Sequence, residues 1–355
     1  MDYNTDSFCV LPFIHKHQRL SGDDTLCCFS QIPIKKENIV DIHTRLSNGE
    51  KIPHCKQCWD AESLNLESHR QRENKRWLSD KEVNAYIQSY NIGDDLKIFS
   101  YDLRFSNLCN LACIGCMPQQ SSLWAKELKI DYPAIPTKFK IEETINAKYI
   151  YLAGGEPFLA PETTELLEAI TKTKKQPIIC INTNLTVQDD YIKELCSKLN
   201  GLTLCVSIDG INSVAEYHRW PIKWEKFLRN LEWAKTLNCD IMFHTVIDAV
   251  NVSFIHEIME YENYTDKWTL TLLMRPLGLQ VKNLPDSLKN FAYQNFIKLR
   301  DSKHYKNNEI FKNSVEQIAQ EIMLEGNSKN LSSFISALDK RRNINHTDYL
   351  GIQLT

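Results

Sequence analysis

The stretch Cys109–Cys116, with the sequence CNLACIGC, predicts both the architecture and the chemistry of this chain. It follows a β-branched and aromatic run, so its cysteines are expected in a loop at the end of a strand. Asn110, Gly115 and Pro118 disfavour one helical stripe of cysteines. Three thiolates at this spacing would ligate three irons of a [4Fe–4S] cluster and leave the fourth iron open, whereas four-cysteine ligation is usual for electron carriers. Buried structural cysteines or zinc ligands are the alternatives.

The composition is that of an ordinary globular protein. The 355 residues suffice for one large and one small domain, and 43% are hydrophobic. A net charge of −3 gives no electrostatic reason to expect nucleic acid or an anionic membrane as the main partner. The sequence contains no long apolar run of transmembrane type and starts without the pattern of a signal peptide. We therefore expect a cytoplasmic protein with no membrane or nucleic-acid partner.

Twelve cysteines are many for that compartment. Clustered cysteines in a reducing cytosol are typical of metal sites and redox groups rather than of disulfides. An early group precedes the CNLACIGC triplet, and the remaining cysteines occur singly. The early group consists of Cys9, Cys27, Cys28, Cys55 and Cys58. Two groups predict two separate metal sites.

Strand-like and helix-like segments alternate after residue 95. Helices between successive strands predict an α/β fold of repeated βα units with a parallel sheet. Such units close or partly close into a barrel whose active site lies at the carboxyl ends of the strands. The predicted strands are Ile98–Phe105, Tyr149–Ala153, Pro177–Asn182, Leu202–Asp209, Asp240–Ile247 and Trp268–Met274.

The rest of the chain suggests further segments. Residues 1–60 are cysteine-rich and irregular, residues 61–95 form a charged helical linker, residues 96–284 form the core, and residues 285–355 form a helical extension. Helices are predicted at 119–128, 162–173, 190–199, 224–237 and 252–261 within the core. The extension is expected to contain helices near 286–303, 310–324 and 332–342.

Three motifs together resemble the radical S-adenosylmethionine (SAM) superfamily over residues 98–275. They are the CNLACIGC loop, Gly154–Pro157 with the sequence GGEP, and Ser207–Gly210 with the sequence SIDG. The resemblance implies a partial (β/α)6 TIM-like barrel, a [4Fe–4S] cluster and SAM. It also implies an enzyme that cleaves SAM reductively to a 5′-deoxyadenosyl radical, which abstracts a hydrogen atom from a substrate. An electron donor such as flavodoxin or ferredoxin is then expected.

The GGEP motif suggests a close approach of backbone to ligand. Gly154 and Gly155 lack the Cβ that would collide at a strand end. The resemblance implies that the carbonyl groups of this motif, and Glu156, receive the ammonium group of SAM. An ordinary tight turn before a helix that starts at Pro157 is the alternative.

Other SAM contacts follow from the same resemblance. Period-2 alternation places Ser207 and Asp209 on one face of the fourth strand, where they are candidates for the carboxylate or ribose hydroxyls of SAM. Arg219 resembles the arginine that pairs with the methionine carboxylate, with a surface position as the alternative. Asn184 occurs where relatives carry a polar residue near SAM, although Asn is also a common turn residue. Gly115 departs from the family, which usually has an aromatic residue there.

The early cysteines resemble a SPASM/twitch module, which holds auxiliary iron–sulfur clusters. The pattern is Cys9 and Cys27 around a glycine, followed by the pair Cys55 and Cys58. Four ligands imply the shorter twitch form with one further [4Fe–4S] cluster, with Cys28 spare or replacing Cys27. The module normally follows the barrel, so its position here is a second departure. Structural zinc is the alternative, because four cysteines with a CxxC pair are also a zinc pattern.

The substrate prediction depends on this second resemblance. SPASM/twitch enzymes favour a peptide or protein substrate that is modified after translation. A small molecule such as an amino sugar or amino acid is the second hypothesis, and a non-enzymatic zinc-binding interaction protein is the third. Cys205 would either donate a hydrogen atom to a substrate radical or be a small core residue.

Overall fold

The computed structural model describes residues 6–63, 67–132, 139–186 and 189–355. These residues form an α/β fold in which the eight strands described make one mostly parallel sheet, in the order β2-β1-β3-β4-β5-β6-β7-β8. The strands are β1 (His15–Gln18), β2 (Asp24–Thr25), β3 (Ser100–Leu103), β4 (Tyr149–Leu152), β5 (Ile178–Thr183), β6 (Leu202–Ser207), β7 (Cys239–Ile247) and β8 (Lys267–Leu272). The predicted fold class is confirmed, and the six predicted strands correspond to β3–β8.

The expectation that residues 1–60 are irregular was wrong. β1 pairs in parallel with β3, and β2 pairs antiparallel with β1. The sequence of β1 is HKHQ, which lacks the apolar residues by which strands are recognised. The sheet therefore gains two strands that hydrophobic periodicity does not reveal.

One compact unit comprises Met1–Asn107 and Pro133–Cys180. β3 is buried throughout, and its register places His15 beside Ser100 and His17 beside Asp102. Aromatic and aliphatic side chains, among them Phe8 and Phe13, form a core around the amino-terminal segment. The helices of this unit are α1 (Leu11–Ile14), α2 (Ile39–Ser47), α3 (Lys56–Ser63), α4 (His69–Leu78), α5 (Lys81–Ser89), α7 (Ile141–Thr144) and α8 (Pro161–Thr171).

The charged helical stretch near residues 60–90 contains, in its described part, the end of α3 followed by α4 and α5. Ser68 caps α4 in a reciprocal capping box with Gln71, and the Asp80 carboxylate accepts hydrogen bonds at the start of α5. Each cap satisfies amide groups that have no partner in the first helical turn and so favours a new helix start.

The other compact unit comprises Leu108–Tyr132 and Ile181–Thr355. β6 pairs in parallel with β7 from Leu202 opposite Cys239 to Ser207 opposite His244, and β7 pairs in parallel with β8. The helices of this unit are α6 (Ser122–Leu128), α9 (Asp190–Ser197), α10 (Asn212–His218), α11 (Trp224–Thr236), α12 (Asp286–Phe296), α13 (Lys303–Asn307), α14 (Glu309–Met323), α15 (Ser328–Arg342) and α16 (His346–Leu350).

The predicted α-helix at 252–261 is instead a 3-10 helix at Ile255–Tyr264. It follows a turn in which the Asp248 amide donates to Asn251 Oδ1, and the Phe254 amide then donates to the Asn251 carbonyl. The turn starts the segment with contacts three residues apart, which is the 3-10 spacing. Within the described ranges, no helix has the length and apolar character needed to span a membrane.

Candidate active site

The three-cysteine loop is anchored to the helix that follows it. The Cys109 amide donates to Ser122 Oγ at 3.0 Å, and Ser122 is the first residue of α6. The Trp124 indole nitrogen donates to the Cys113 carbonyl oxygen at 2.6 Å. Both bonds fix the loop backbone, so the sulfur atoms are carried by a rigid turn.

A second anchor comes from the segment after α10. The Ala112 amide donates to the Trp220 carbonyl at 2.6 Å, and the Ile114 amide donates to the His218 carbonyl at 2.8 Å. These two bonds form a short antiparallel ladder, because the acceptor number falls from 220 to 218 as the loop runs from Ala112 to Ile114. They bring Arg219, which lies between the two acceptors in sequence, towards the cysteines.

The three thiols influence one another electrostatically. Burial, together with the neighbouring thiols of Cys113 and Cys109, raises the pKa of Cys116 to about 12. Burial also raises the pKa of Cys113, whereas the Arg219 guanidinium lowers it. Asn184 Nδ2 donates to Cys109 Sγ at 3.9 Å. These thiols are therefore costly to ionise unless positive charge compensates them, as a metal cluster would.

Arg219 and Asp209 form a buried ion pair beside the loop. Arg219 Nη1 donates to Asp209 Oδ2 at 2.5 Å, and the two residues are 8% and 3% exposed. Burial alone would raise the pKa of Asp209, but Arg219 and His218 hold it below its usual range. Burial would lower the pKa of Arg219, but the thiols and Asp209 raise it. Arg219 is thus a fixed cation that faces the thiols.

A hydrogen-bonded histidine–aspartate pair accompanies this ion pair. His218 Nε2 is 2.8 Å from Asp248 Oδ2, and both residues are buried. Burial lowers the pKa of His218, but Asp248 outweighs it and the net direction is upward. Asn251 Nδ2 joins this pair to the first by donating to the Asp209 carbonyl at 3.1 Å. Two carboxylates, the Arg219 guanidinium and the His218 imidazole therefore form one network.

Several predicted site residues occur together in this unit. The three cysteines, Asn184, Asp209 and Arg219 are linked by the contacts above. Ser207 has its Oγ 3.4 Å from Asn182 Oδ1. The role of Ser207 toward SAM stays a prediction.

Gly115, where the family usually has an aromatic residue, lies in a position with little room for a side chain. A Cβ at this position would lie 3.3 Å from Leu273 Cδ1 and 3.8 Å from Asp248 Oδ2. A contact of 3.3 Å is tighter than most, so a larger side chain would require Leu273 to move.

The GGEP turn lies in the other unit. Gly154 has φ of +122°, and a Cβ there would come within 2.8 Å of the Ser106 carbonyl oxygen. The Gly155 amide donates to the same oxygen at 3.0 Å. Glu156 is 1% exposed, and its carboxylate accepts from the Phe158 amide at 3.3 Å. The tight turn is therefore present at this strand end, and the predicted approach of its backbone to SAM stays a prediction.

Four early cysteines line one cavity in this same unit. The lining includes Cys9, Cys27, Cys55 and Cys58. Burial, together with Cys27 and Cys58, raises the pKa of Cys55 to about 12. Burial raises the pKa of Cys9 as well, with further contributions from Cys55 and Cys58. The four predicted ligands are thus near neighbours although 49 positions separate the first from the last.

A buried arginine also accompanies this cysteine group. Arg70 donates through Nη2 to Glu62 Oε2 at 2.8 Å and through Nη1 to the Phe8 carbonyl at 2.7 Å. The guanidinium lowers the pKa values of Cys9 and Cys55, which burial otherwise raises. Arg70 thus has the relation to the early cysteines that Arg219 has to the loop.

Cys28 differs from its neighbour Cys27. It is exposed, and it is not among the residues that line the cavity. Burial of its sulfur raises its pKa to about 12, and the next influences come from Asp102 and Arg104 rather than from the other cysteines. The geometry therefore favours Cys27 over Cys28 as the fourth ligand. Cys205 is a buried residue of β6, 4% exposed, as its core alternative predicts.

The donor sets fit the cofactors that the sequence implies. Each cysteine group consists of sulfur donors held on short, anchored segments beside a cation. Arg219 Nε is buried and has no hydrogen-bond partner among the described residues, so it has donor capacity for a carboxylate. Among those residues, no group of three or more His, Cys, Asp or Glu is arranged to hold a metal ion. A single ion needs its sulfur ligands within about 2.3 Å of one point, whereas a cluster distributes them over several irons.

Sequence reasoning missed several residues that build this site. Trp124, His218 and Asp248 hold the loop or its cation, and Arg342 donates through Nη2 to the Ala112 carbonyl at 2.7 Å. The position of Trp124 in the predicted helix shortly after the triplet was an available signal. No sequence signal connects Arg342 with the loop.

The mostly parallel α/β sheet and a three-cysteine loop directly after one of its strands define the class: an α/β protein with a candidate cluster-binding loop. Residues 103–261 match the family model described as the Radical SAM superfamily. The match supports the predicted resemblance to the radical SAM superfamily over this part of the chain, and it confirms the prediction of an enzyme.

The curated relatives are GTP 3′,8-cyclases. The enzyme of Synechocystis sp. is 30% identical over 157 residues, which are 43% of this chain and 47% of that protein. The enzyme of Clostridium perfringens is 26% identical over 191 residues, which are 52% of this chain and 58% of that protein. The chain thus spans about half the length of the curated relatives it matches.

Solved structures give a weaker likeness. A chain described as native anSMEcpe with bound AdoMet has a TM-score of 0.45 and 19% identity, covering 59% of this chain and 61% of that chain. Streptococcus suis SuiB bound to S-adenosylmethionine has a TM-score of 0.43 and 15% identity, covering 85% of this chain and 72% of that chain.

Proposed function

We propose that this protein is a radical SAM enzyme whose [4Fe–4S] cluster is held by Cys109, Cys113 and Cys116. The observation that carries the proposal is the three-thiol loop beside the buried Arg219–Asp209 pair, within the segment that matches the family. When bound, cluster and SAM supply reductive cleavage to a 5′-deoxyadenosyl radical that removes a hydrogen atom from the substrate.

The side chains of this unit have roles in binding and orientation. Arg219 would pair through its unpartnered Nε with the methionine carboxylate of SAM, because Asp209 already occupies Nη1. Asp209 keeps the guanidinium in place and neutralises its charge before the ligand arrives. Asn184, which already contacts Cys109 and Asn110, would orient a polar group of SAM next to the cluster.

The GGEP turn would contribute backbone acceptors. The positive φ at Gly154 and the absence of a Cβ let this turn pack closely against the Ser106 carbonyl oxygen, which fixes its backbone. The carboxylate of Glu156 is already bonded to the Phe158 amide, so we favour the carbonyl groups over this side chain as the acceptors for SAM's ammonium.

We also propose that Cys9, Cys27, Cys55 and Cys58 hold an auxiliary [4Fe–4S] cluster. Their shared cavity supports the twitch-like interpretation, and the Arg70–Glu62 pair supplies a cation beside the thiols. A structural zinc ion is the alternative occupant, since four cysteines also suit that metal. The amount of acid-labile sulfide distinguishes the two, because two clusters hold about eight sulfides per chain, whereas one cluster with zinc holds about four.

The substrate is proposed to be a peptide or protein that the enzyme modifies after translation. The support is the twitch-like cysteine set, which resembles that of peptide-modifying enzymes. A small molecule is the second candidate, favoured by the relatives described as GTP 3′,8-cyclases. We place the reaction in the cytoplasm, with a flavodoxin or ferredoxin as electron donor.

The decisive experiment is anaerobic reconstitution with iron, sulfide, SAM and dithionite, followed by measurement of 5′-deoxyadenosine. Wild-type protein should form this product, and Cys113→Ala should not, because one iron ligand is lost. Cys239→Ala is the matched control, since Cys239 is a half-buried residue on β7 outside both cysteine groups. Product formation by Cys113→Ala at the wild-type level would refute the assignment.

A further inference from the structure

Arg342, the last residue of α15, has its guanidinium buried next to the three-cysteine loop. Its side chain is 2% exposed. Nη2 donates to the Ala112 carbonyl at 2.7 Å, and Nε donates to Glu127 Oε1 at 3.1 Å. Arg342 lies outside residues 103–261, so the family match does not cover it.

Two indole rings contact the guanidinium. Its central carbon is 4.9 Å from the ring centre of Trp124 and 5.7 Å from that of Trp220. Each of these tryptophans is itself bonded to the loop, Trp124 through the Cys113 carbonyl and Trp220 through the Ala112 amide. Arg342 therefore contacts the loop directly and also contacts both residues that anchor it.

The contacts require the particular shape of arginine. A guanidinium is planar, lies flat on aromatic rings and donates in several fixed directions, whereas a lysine ammonium is a point charge on a flexible stem. The buried charge is balanced by Glu127, which contacts both Nε and Nη2. Removing the guanidinium would leave the Ala112 carbonyl and the Glu127 carboxylate without their partner.

We propose that Arg342 is a positioning residue of the cluster site: it fixes the three-cysteine loop and places a positive charge next to Cys113. The electrostatic part of this proposal rests on the proposed function, because the charge would act on a cluster that Cys113 helps to hold. A nearby cation stabilises the more negative, reduced form of a cluster and so raises its reduction potential. The carboxyl-terminal extension would thereby be part of the active site.

The positioning is tested in the full-length protein without cluster, by hydrogen exchange at the amides of Ala112 and Ile114. Arg342→Gln should speed exchange at both amides by about tenfold or more, because a buried charged hydrogen bond is lost. Arg342→Lys should give a similar increase, since lysine lacks the planar fork. Arg341→Gln is the matched control, because Arg341 is the exposed neighbour and is 4.0 Å from Glu127.

The charge is tested in the reconstituted protein, by a redox titration of the SAM-binding cluster followed by electron paramagnetic resonance. Arg342→Gln should lower its potential, Arg342→Lys should restore most of the shift, and Arg341→Gln should leave it unchanged. The inference is overturned if the amides of Ala112 and Ile114 exchange no faster in folded Arg342→Gln and Arg342→Lys than in Arg341→Gln. The proposed function fails separately, if Cys113→Ala still cleaves SAM. Amide exchange needs no cluster, so the two failures can be told apart.

Discussion

Arg219 Nη1 and Asp209 Oδ2 are joined by a 2.5 Å hydrogen bond beside the three-cysteine loop. Asp209 Oδ1 also accepts from the Val246 amide at 2.8 Å, so the carboxylate links the cation to the backbone of β7. The pair lets a cation be buried before any cluster or nucleotide is present. Arg70 and Glu62 repeat the arrangement beside the early cysteines.

Asp209→Asn should destabilise the protein without cluster. The amide keeps an acceptor for Val246 but leaves Arg219 as a buried, uncompensated charge, which costs about 3 kcal/mol or more. Urea unfolding measures the free energy of unfolding. Asp240→Asn on the same sheet is the control, because Asp240 is exposed on β7. Equal stability of the two variants would show that the Arg219 charge needs no partner.

Gly154→Ala should be more destabilising than Gly93→Ala. Both glycines have positive φ, +122° and +107°, so both substitutions carry backbone strain of about 1 kcal/mol. Only at position 154 would the new Cβ meet a carbonyl oxygen, 2.8 Å away, while position 93 has open space within 4 Å. Thermal unfolding of both variants measures the difference. If both lose the same stability, the close approach at the GGEP turn is not tight.

The local motifs and the order of the strands could be predicted from sequence, because spacing and periodicity act over a few residues. β1 could not, since its HKHQ sequence has no apolar alternation and it is held by pairing with β3. The Arg342 contact with Ala112 could not either, because 230 positions separate the two residues. Long-range polar contacts of this kind leave no periodic signal in a single sequence.

Cys27→Ser and Cys28→Ser should differ in auxiliary cluster content. Cys27 lines the cavity with the other three cysteines, whereas Cys28 is exposed and next to Asp102 and Arg104. We expect wild-type protein and Cys28→Ser to contain about eight irons per chain and Cys27→Ser about four. Iron and acid-labile sulfide are measured after anaerobic reconstitution. Loss of iron from Cys28→Ser with full content in Cys27→Ser would reverse the ligand assignment.

His17 makes folding sensitive to mild acid. Burial, with contributions from Arg104 and Arg19, lowers its pKa to about 3. Asp102 Oδ2 lies 3.7 Å from His17 Nε2 but is already bound by Arg104. Thr25 Oγ1, 2.6 Å from Nδ1, donates its own proton to the Cys27 carbonyl, so Nδ1 is the donor in the neutral ring.

Because the folded-state pKa of His17 lies below its unfolded value near 6.5, the unfolded chain binds the proton first as the pH falls. The stability contributed by the neutral ring is therefore complete above pH 6.5 and is lost from there down to about pH 3. His17→Asn keeps a donor for Thr25 but cannot titrate. As the pH falls from 6 to 4, the free energy of unfolding of this variant should decrease less steeply than that of the wild type, by about 1.4 kcal/mol per pH unit. Urea unfolding across this range measures the slope, and the same variant at pH 7.5 gives the packing cost alone. Parallel curves would mean that His17 titrates normally in the folded protein.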